Sequence, residues 1–183
     1  MAHVCPVWIA RLLASPVRRL VENPEKIMKP FVNDGMTVFE PGCGMGFFTI
    51  PLARMVGKDG RVVVADVQQP MLEGVRKRAE KAGLEKRIDC RLVQDVEMPI
   101  DDLEGKVDFV PVIHMLHETT NPESFLQNVY TALKRGGSML IVEPAGHVSK
   151  AYFEDVKNMA KEIGFVEVRE EKGRRAVFMK EYR

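Results

Sequence analysis

Cysteine is scarce in this chain: Cys5, Cys43 and Cys90 are odd in number and widely spaced. Neither a disulfide framework nor a zinc cluster follows from them, and a reducing cytoplasm is the expected compartment. An excess of one charge is also missing. Lys and Arg total 27 against 26 Asp and Glu, a net charge of +1, so the balance carries no electrostatic footprint for nucleic acid. No apolar run approaches the length that spans a bilayer. The opening stretch VCPVWIARLLASP has no basic region ahead of it and is interrupted by Arg11, which argues against a signal peptide. There is no internal repeat and no low-complexity segment. What remains is 45% hydrophobic and 29% charged over 183 residues, the profile of a globular domain with a substantial core.

Two kinds of segment alternate after the turn at Asp34-Gly35. Strands are predicted at 36–41, 61–66, 88–93, 107–113 and 138–143, with apolar centres that suit a parallel sheet covered on both faces. Asp89 and Arg91 make the third more like an edge strand. Helices are predicted at 45–56, at 70–83 with Pro70 in its first turn, and at 121–135 with Asn121 as cap and Pro122 as first residue. Gly83 and the pair Gly136-Gly137 supply stops. A further helix runs from a Ser149 cap to Gly164, and FVEVREE and RAVFMKEY then read as a hairpin joined by KGR. The pattern predicts an α/β doubly wound sheet with an antiparallel strand near one edge. Ahead of it, residues 1–35 hold Pro6, Pro16, Pro24 and Pro30 among apolar residues and read as short helices.

The sequence TVFEPGCGMGFF, residues 37–48, ends the first strand at Glu40 and then places Gly42, Gly44 and Gly46 two apart. Glycine permits positive φ and leaves no Cβ in the way of a ligand crossing the backbone. In such a sheet the carboxyl end of the first strand is where ligands bind. The dinucleotide fingerprint G-x-G-x-x-G needs its third glycine at position 47, which is Phe. Nor does the phosphate-binding loop G-x-x-x-x-G-K-[ST] fit. The apolar entry of Met45, Phe47 and Phe48 is a poor seat for a pyrophosphate. A ligand with a ribose and an amino acid but no phosphates suits the stretch better.

The motif E-x-G-x-G-x-G after a strand resembles the first motif of class I S-adenosylmethionine (SAM)-dependent methyltransferases. Later stretches follow in step: VVVADVQQPML ends the second strand at Asp66, LVQDVEMP places Asp95 after the third, and residues 107–144 resemble the fourth strand, a helix, the Gly-Gly turn and the fifth strand. The resemblance covers roughly residues 18–181. It implies a mostly parallel seven-stranded sheet in the order 3-2-1-4-5-7-6, with the last strand antiparallel. It also implies SAM as cofactor. Gly42, Cys43, Gly44 and Gly46 would form the loop against it, and Glu40 would order that loop and meet the methionine amino group. Asp66 would hold the ribose hydroxyls, Val67 and Met71 pack on the adenosine, and Asp95 with the Val96 amide meet the adenine. Cys43 is read as a small spacer, because nothing near it in sequence activates a nucleophile.

His114 and His117, in HMLH at the end of the fourth strand, stand where the family's acceptor approaches SAM. Either is a candidate general base; packing or orienting the acceptor is the alternative, and no third ligand accompanies them for a metal. His147, Glu143 and Pro144 after the fifth strand are weaker candidates for the same pocket. The absence of [DN]-P-P-[YF] after the fourth strand argues against adenine- or glutamine-type amino methylation. The expected activity is methyl transfer by direct displacement to a small, partly apolar acceptor, quinone-like or lipid-like acceptors included. Residues 1–30 would be a lid, with Trp8, Ile9, Leu12 and Leu13 as its inner face, or else a homodimer contact or core; residues 31–183 would be the SAM-binding domain. Nucleic acid and stable membrane insertion are not expected. A non-catalytic SAM-binding or interaction protein is the first alternative, and an NAD-dependent oxidoreductase, which shares the fold but not the glycine spacing, the second.

Overall fold

The computed structural model describes residues 18, 22–93, 98, 100–171 and 173–181. Seven strands form one sheet in the order β3-β2-β1-β4-β5-β7-β6, the order that the resemblance implied. Two compact units divide the chain between residues 94 and 95 and are taken in turn. The expected lid residues Trp8, Ile9, Leu12 and Leu13 lie outside the described residues, as do Asp95 and Val96.

In the first unit, β1 (Thr37–Pro41) pairs in parallel with β2 (Arg61–Asp66), and β2 with β3 (Ile88–Leu92). Val62, Val63 and Val64 are fully buried, as expected for a strand covered on both faces. β3 is half-buried along most of its length, and its Arg91 bonds Asp89 at 2.7 Å. Helix α1 (Pro24–Met28) begins with proline, and the Asn23 side chain accepts from the Lys26 N–H. Helix α2 is shorter than predicted: it spans Thr49–Met55, while residues 44–48 are turns. The cause is local. Gly42, Gly44 and Gly46 have φ of 64°, 51° and 84°, so the chain leaves the helical region at each glycine. Helix α3 (Gln69–Ala82) has Pro70 in its first turn and stops at Gly83 with φ 66°, the left-handed cap that glycine favours.

In the second unit, β4 (Val107–Ile113) runs parallel to β5 (Leu133–Val142), β7 (Arg175–Lys180) runs antiparallel to β5, and β6 (Phe165–Glu171) antiparallel to β7. Helix α4 (Pro122–Ala132) carries the predicted cap, with Asn121 accepting from the Ser124 N–H. Helix α5 (Lys150–Ile163) starts at Ser149, whose hydroxyl accepts from the Tyr152 N–H, and stops at Gly164 with φ 116°.

Gly136-Gly137 are not a helix stop, which corrects the helix predicted over 121–135. The helix has ended at Ala132 and both glycines lie within β5. Val107 pairs with Leu133 but Phe109 pairs with Ser138, so three extra residues bulge from β5 at this point. A Cβ on Gly137 would stand 2.9 Å from the Lys134 carbonyl oxygen and 3.0 Å from that of Val107. The backbones come too close for a side chain, which is a known use of glycine within strands.

Candidate functional site

The first unit brings the glycine loop, Glu40 and Asp66 together at the carboxyl ends of β1 and β2. Register explains it: Pro41 lies opposite Ala65, and the Gly42 and Cys43 N–H groups donate to the Ala65 carbonyl at 2.8 and 3.2 Å. Asp66 then meets the loop directly. Its Oδ2 accepts from the Gly44 N–H at 3.0 Å and its Oδ1 from the Gln68 N–H at 2.9 Å. Burial pushes the Asp66 carboxyl up from its ordinary value, opposed by bonds from the backbone of Gln68, Gly44 and Val67.

Glu40 is buried and accepts a 2.6 Å bond from the Thr49 hydroxyl. Burial pushes its carboxyl up to about 8; the Thr49 bond opposes this and the nearby Asp66 adds to it. No lysine or arginine among the described residues accounts for either carboxylate. A cation entering beside these two buried acids would favour their charged forms. Thr49 is fully buried and was not singled out in the sequence. Nothing in the spacing marks it as the partner of Glu40; the turn from β1 into α2 creates the pair.

Around the loop, a Cβ on Gly44 would meet nothing within 4 Å, whereas one on Gly46 would lie 3.3 Å from Val75 Cγ2. Gly44 thus faces open space and Gly46 packs on α3. The Cys43 thiol lies 3.5 Å from the Gly44 carbonyl oxygen, and burial holds its pKa well above the ordinary value. It keeps its proton and is no nucleophile. Val67 is 45% exposed and Met71 only 2%. Val67 therefore offers apolar surface past the end of β2, while Met71 belongs largely to the core. This set fits SAM: the sulfonium and ammonium are cations, the adenosine needs an apolar face, and no phosphate has to be seated.

The second unit gathers a different set. His114 follows β4 with φ 55°, the one positive φ outside glycine among the described residues, and its N–H donates to the Val142 carbonyl at 2.8 Å. The chain then makes a 3-10 turn at Leu116–Glu118. His114 and His117 therefore do not share an α-helix face. Glu143, one residue past β5, accepts from the Leu116 N–H through Oε1 at 2.9 Å and meets His117 Nδ1 through Oε2 at 2.5 Å. Its side chain is fully buried, that of His117 25% exposed. The exposed His147 ring lies 6.4 Å from the His117 ring, tilted by 15°. Burial, and then the charge of Glu143, raise the pKa of Tyr152.

Comparison with known proteins follows the same lines. Residues 32–178 match the model of a family described as a methyltransferase domain. The ubiquinone/menaquinone biosynthesis C-methyltransferase UbiE of Enterobacter sp. is 31% identical over 125 residues, covering 66% of this chain and 49% of that protein. Its counterpart in Hydrogenovibrio crunogenus is 30% identical over 112 residues, covering 61% and 43%. The chain thus spans about half the length of the curated relatives it matches. Among solved structures, a SAM-dependent methyltransferase from Aquifex aeolicus is 25% identical with a TM-score of 0.81, covering 96% of both chains. A Methanococcus maripaludis protein, 19% identical with a TM-score of 0.77, shares the fold. By its strand order, its glycine loop and the family match over most of its length, this chain belongs to the class I SAM-dependent methyltransferases.

Proposed function

We propose that this protein transfers a methyl group from SAM to a small, partly apolar acceptor of quinone-like character. The observation that carries the reading is the cradle of Glu40, Asp66 and the positive-φ glycine loop. When bound, SAM supplies a methyl group on a cationic sulfur that departs as a neutral thioether. The chain's own residues bind, orient and exclude water. Asp66 would hold the ribose hydroxyls, Glu40 the cationic methionine end, and Val67 the adenosine face, with Asp95 and Val96 on the adenine. Orientation of acceptor and methyl group can supply about 7–11 kcal/mol in favourable cases. His117 or His114 would take a proton from the acceptor.

The acceptor class draws on the UbiE relatives, named for ubiquinone and menaquinone biosynthesis. Among the described residues no helix is long and apolar enough to cross a membrane. We place the reaction in the cytoplasm, without nucleic acid as substrate, and assign residues 1–30 to a lid or a homodimer contact.

Calorimetric titration with SAM, S-adenosylhomocysteine and NAD tests the cofactor. Binding of the two adenosyl ligands and not of NAD is expected; binding of NAD alone would sink the reading. Incubation with methyl-labelled SAM and 1,4-naphthohydroquinone, kept reduced, then tests the acceptor. SAM binding with no transfer to any small molecule would instead favour a non-catalytic SAM-binding protein.

A further inference from the structure

Glu143 has two oxygens and two different tasks. Oε1 accepts the Leu116 N–H at 2.9 Å and so ties down the turn after β4. That task alone needs only a neutral acceptor such as an amide carbonyl. A fully buried carboxylate is an expensive substitute for one, and its second oxygen is bonded at 2.5 Å to Nδ1 of His117.

The sheet register puts the two side chains within reach. Ile113 lies opposite Val142, so Glu143 follows β5 where His114 follows β4. The positive φ of His114 and the 3-10 turn bring His117 back over Glu143. A carboxylate, when ionised, only accepts hydrogen bonds, so that the shared hydrogen then belongs to Nδ1 and in a neutral ring the lone pair is on Nε2.

We infer that Glu143 is a positioning residue for His117: it holds the ring by its Nδ1 hydrogen and leaves Nε2 as the base for a methyl acceptor carrying an acidic hydroxyl. The inference rests on the methyltransferase reading above and narrows its acceptor class to phenols, enols and hydroquinones. The acceptor's O–H bond breaks and its proton goes to Nε2. The electron pair stays on the acceptor, on oxygen or on a conjugated carbon, as the nucleophile for the methyl group. The imidazolium afterwards returns the proton to solvent, and Glu143 keeps its charge throughout.

Replacement by glutamine discriminates between positioning and packing. In Glu143→Gln the amide oxygen must stay with the Leu116 N–H, because the amide nitrogen has no lone pair to accept it. The NH2 group therefore faces His117, and Nδ1 must become the acceptor. The ring hydrogen moves to Nε2 and the base is lost with the shape conserved.

The experiment is nitrogen NMR of imidazole-labelled protein in mildly alkaline buffer, with the His117 signals assigned by their loss in His117→Ala. The wild type should carry its hydrogen on Nδ1, and Glu143→Gln on Nε2. With 1,4-naphthohydroquinone as acceptor, kcat should fall about a hundredfold in Glu143→Gln, while the Kd for SAM stays unchanged. A wild-type ring protonated on Nε2 overturns the inference, and that measurement needs no variant. So does a reversed tautomer with unchanged kcat. A wild type that binds SAM but methylates neither naphthohydroquinone nor catechol overturns the acidic-hydroxyl acceptor. One that binds no SAM overturns the methyltransferase reading, and the spectra still read the role of Glu143.

Discussion

Asp66 does two things at once: it stands at the end of β2 and it accepts the Gly44 N–H at 3.0 Å. Asp66→Ala should therefore weaken SAM binding by about a hundredfold or more, since charge-assisted hydrogen bonds contribute ~1.5–3 kcal/mol each. Calorimetry measures this, and unchanged affinity would remove Asp66 from the site. Glu40 makes a pH-dependent prediction. Its folded pKa of about 8 lies above the ordinary 4.5, so the folded state binds the extra proton between those values. Glu40 therefore favours the fold most below pH 4.5, and stability falls as pH rises through this window. The full effect is of order 4–5 kcal/mol, at about 1.4 kcal/mol for each tenfold change in proton affinity. Glu40→Gln should flatten that decline in denaturant titrations of the ligand-free protein. A cation entering beside Glu40 favours its charged form, so SAM binding near neutral pH should release a proton. Binding enthalpies that vary with the ionisation enthalpy of the buffer in the wild type, and not in Glu40→Gln, would show it.

Glycines distinguish the elements that sequence reading describes well from those it does not. Gly83 and Gly164 close α3 and α5 as expected, because a helix stop depends on residues next to one another in sequence. The Asn121 and Ser149 caps were legible for the same reason. Gly136-Gly137 have the same local signature, yet they lie within β5, where Gly137 meets the backbone of Val107. That neighbour is distant in sequence, and no local pattern announces it. Gly46 combines both situations, with φ 84° and a Cβ position 3.3 Å from Val75 Cγ2. Gly46→Ala should cost about 1–2 kcal/mol from the left-handed backbone alone. Denaturant midpoints should show that loss, with weaker SAM binding beside it; a neutral substitution would mean that the loop turns without needing glycine there.

The whole chain offers a test that needs no acceptor. SAM at about a hundred times its Kd should stabilise the fold by ~2.7 kcal/mol, which for a chain of this size raises Tm by roughly 5–10 °C. NAD at the same concentration should leave Tm where it was. A protein whose Tm ignores SAM would contradict the cradle formed by Glu40 and Asp66.

Alternating apolar segments, the helix signals and the E-x-G-x-G-x-G run suffice to name an α/β sheet and to single out Glu40 and Asp66 as candidates beside the loop after β1, because those features are short-range or carried by family motifs. Composition adds only what the chain is not. The pairing of Glu40 with Thr49, the Asp66 bond to Gly44 and the His117–Glu143 contact join residues 9, 22 and 26 positions apart. Such partners are chosen by strand register and by the turns that follow each strand. Burial then decides the protonation of Glu40, whose carboxyl is pushed from the ordinary 4.5 up to about 8. No property of the isolated residue records that difference; the surroundings supplied by the fold create it.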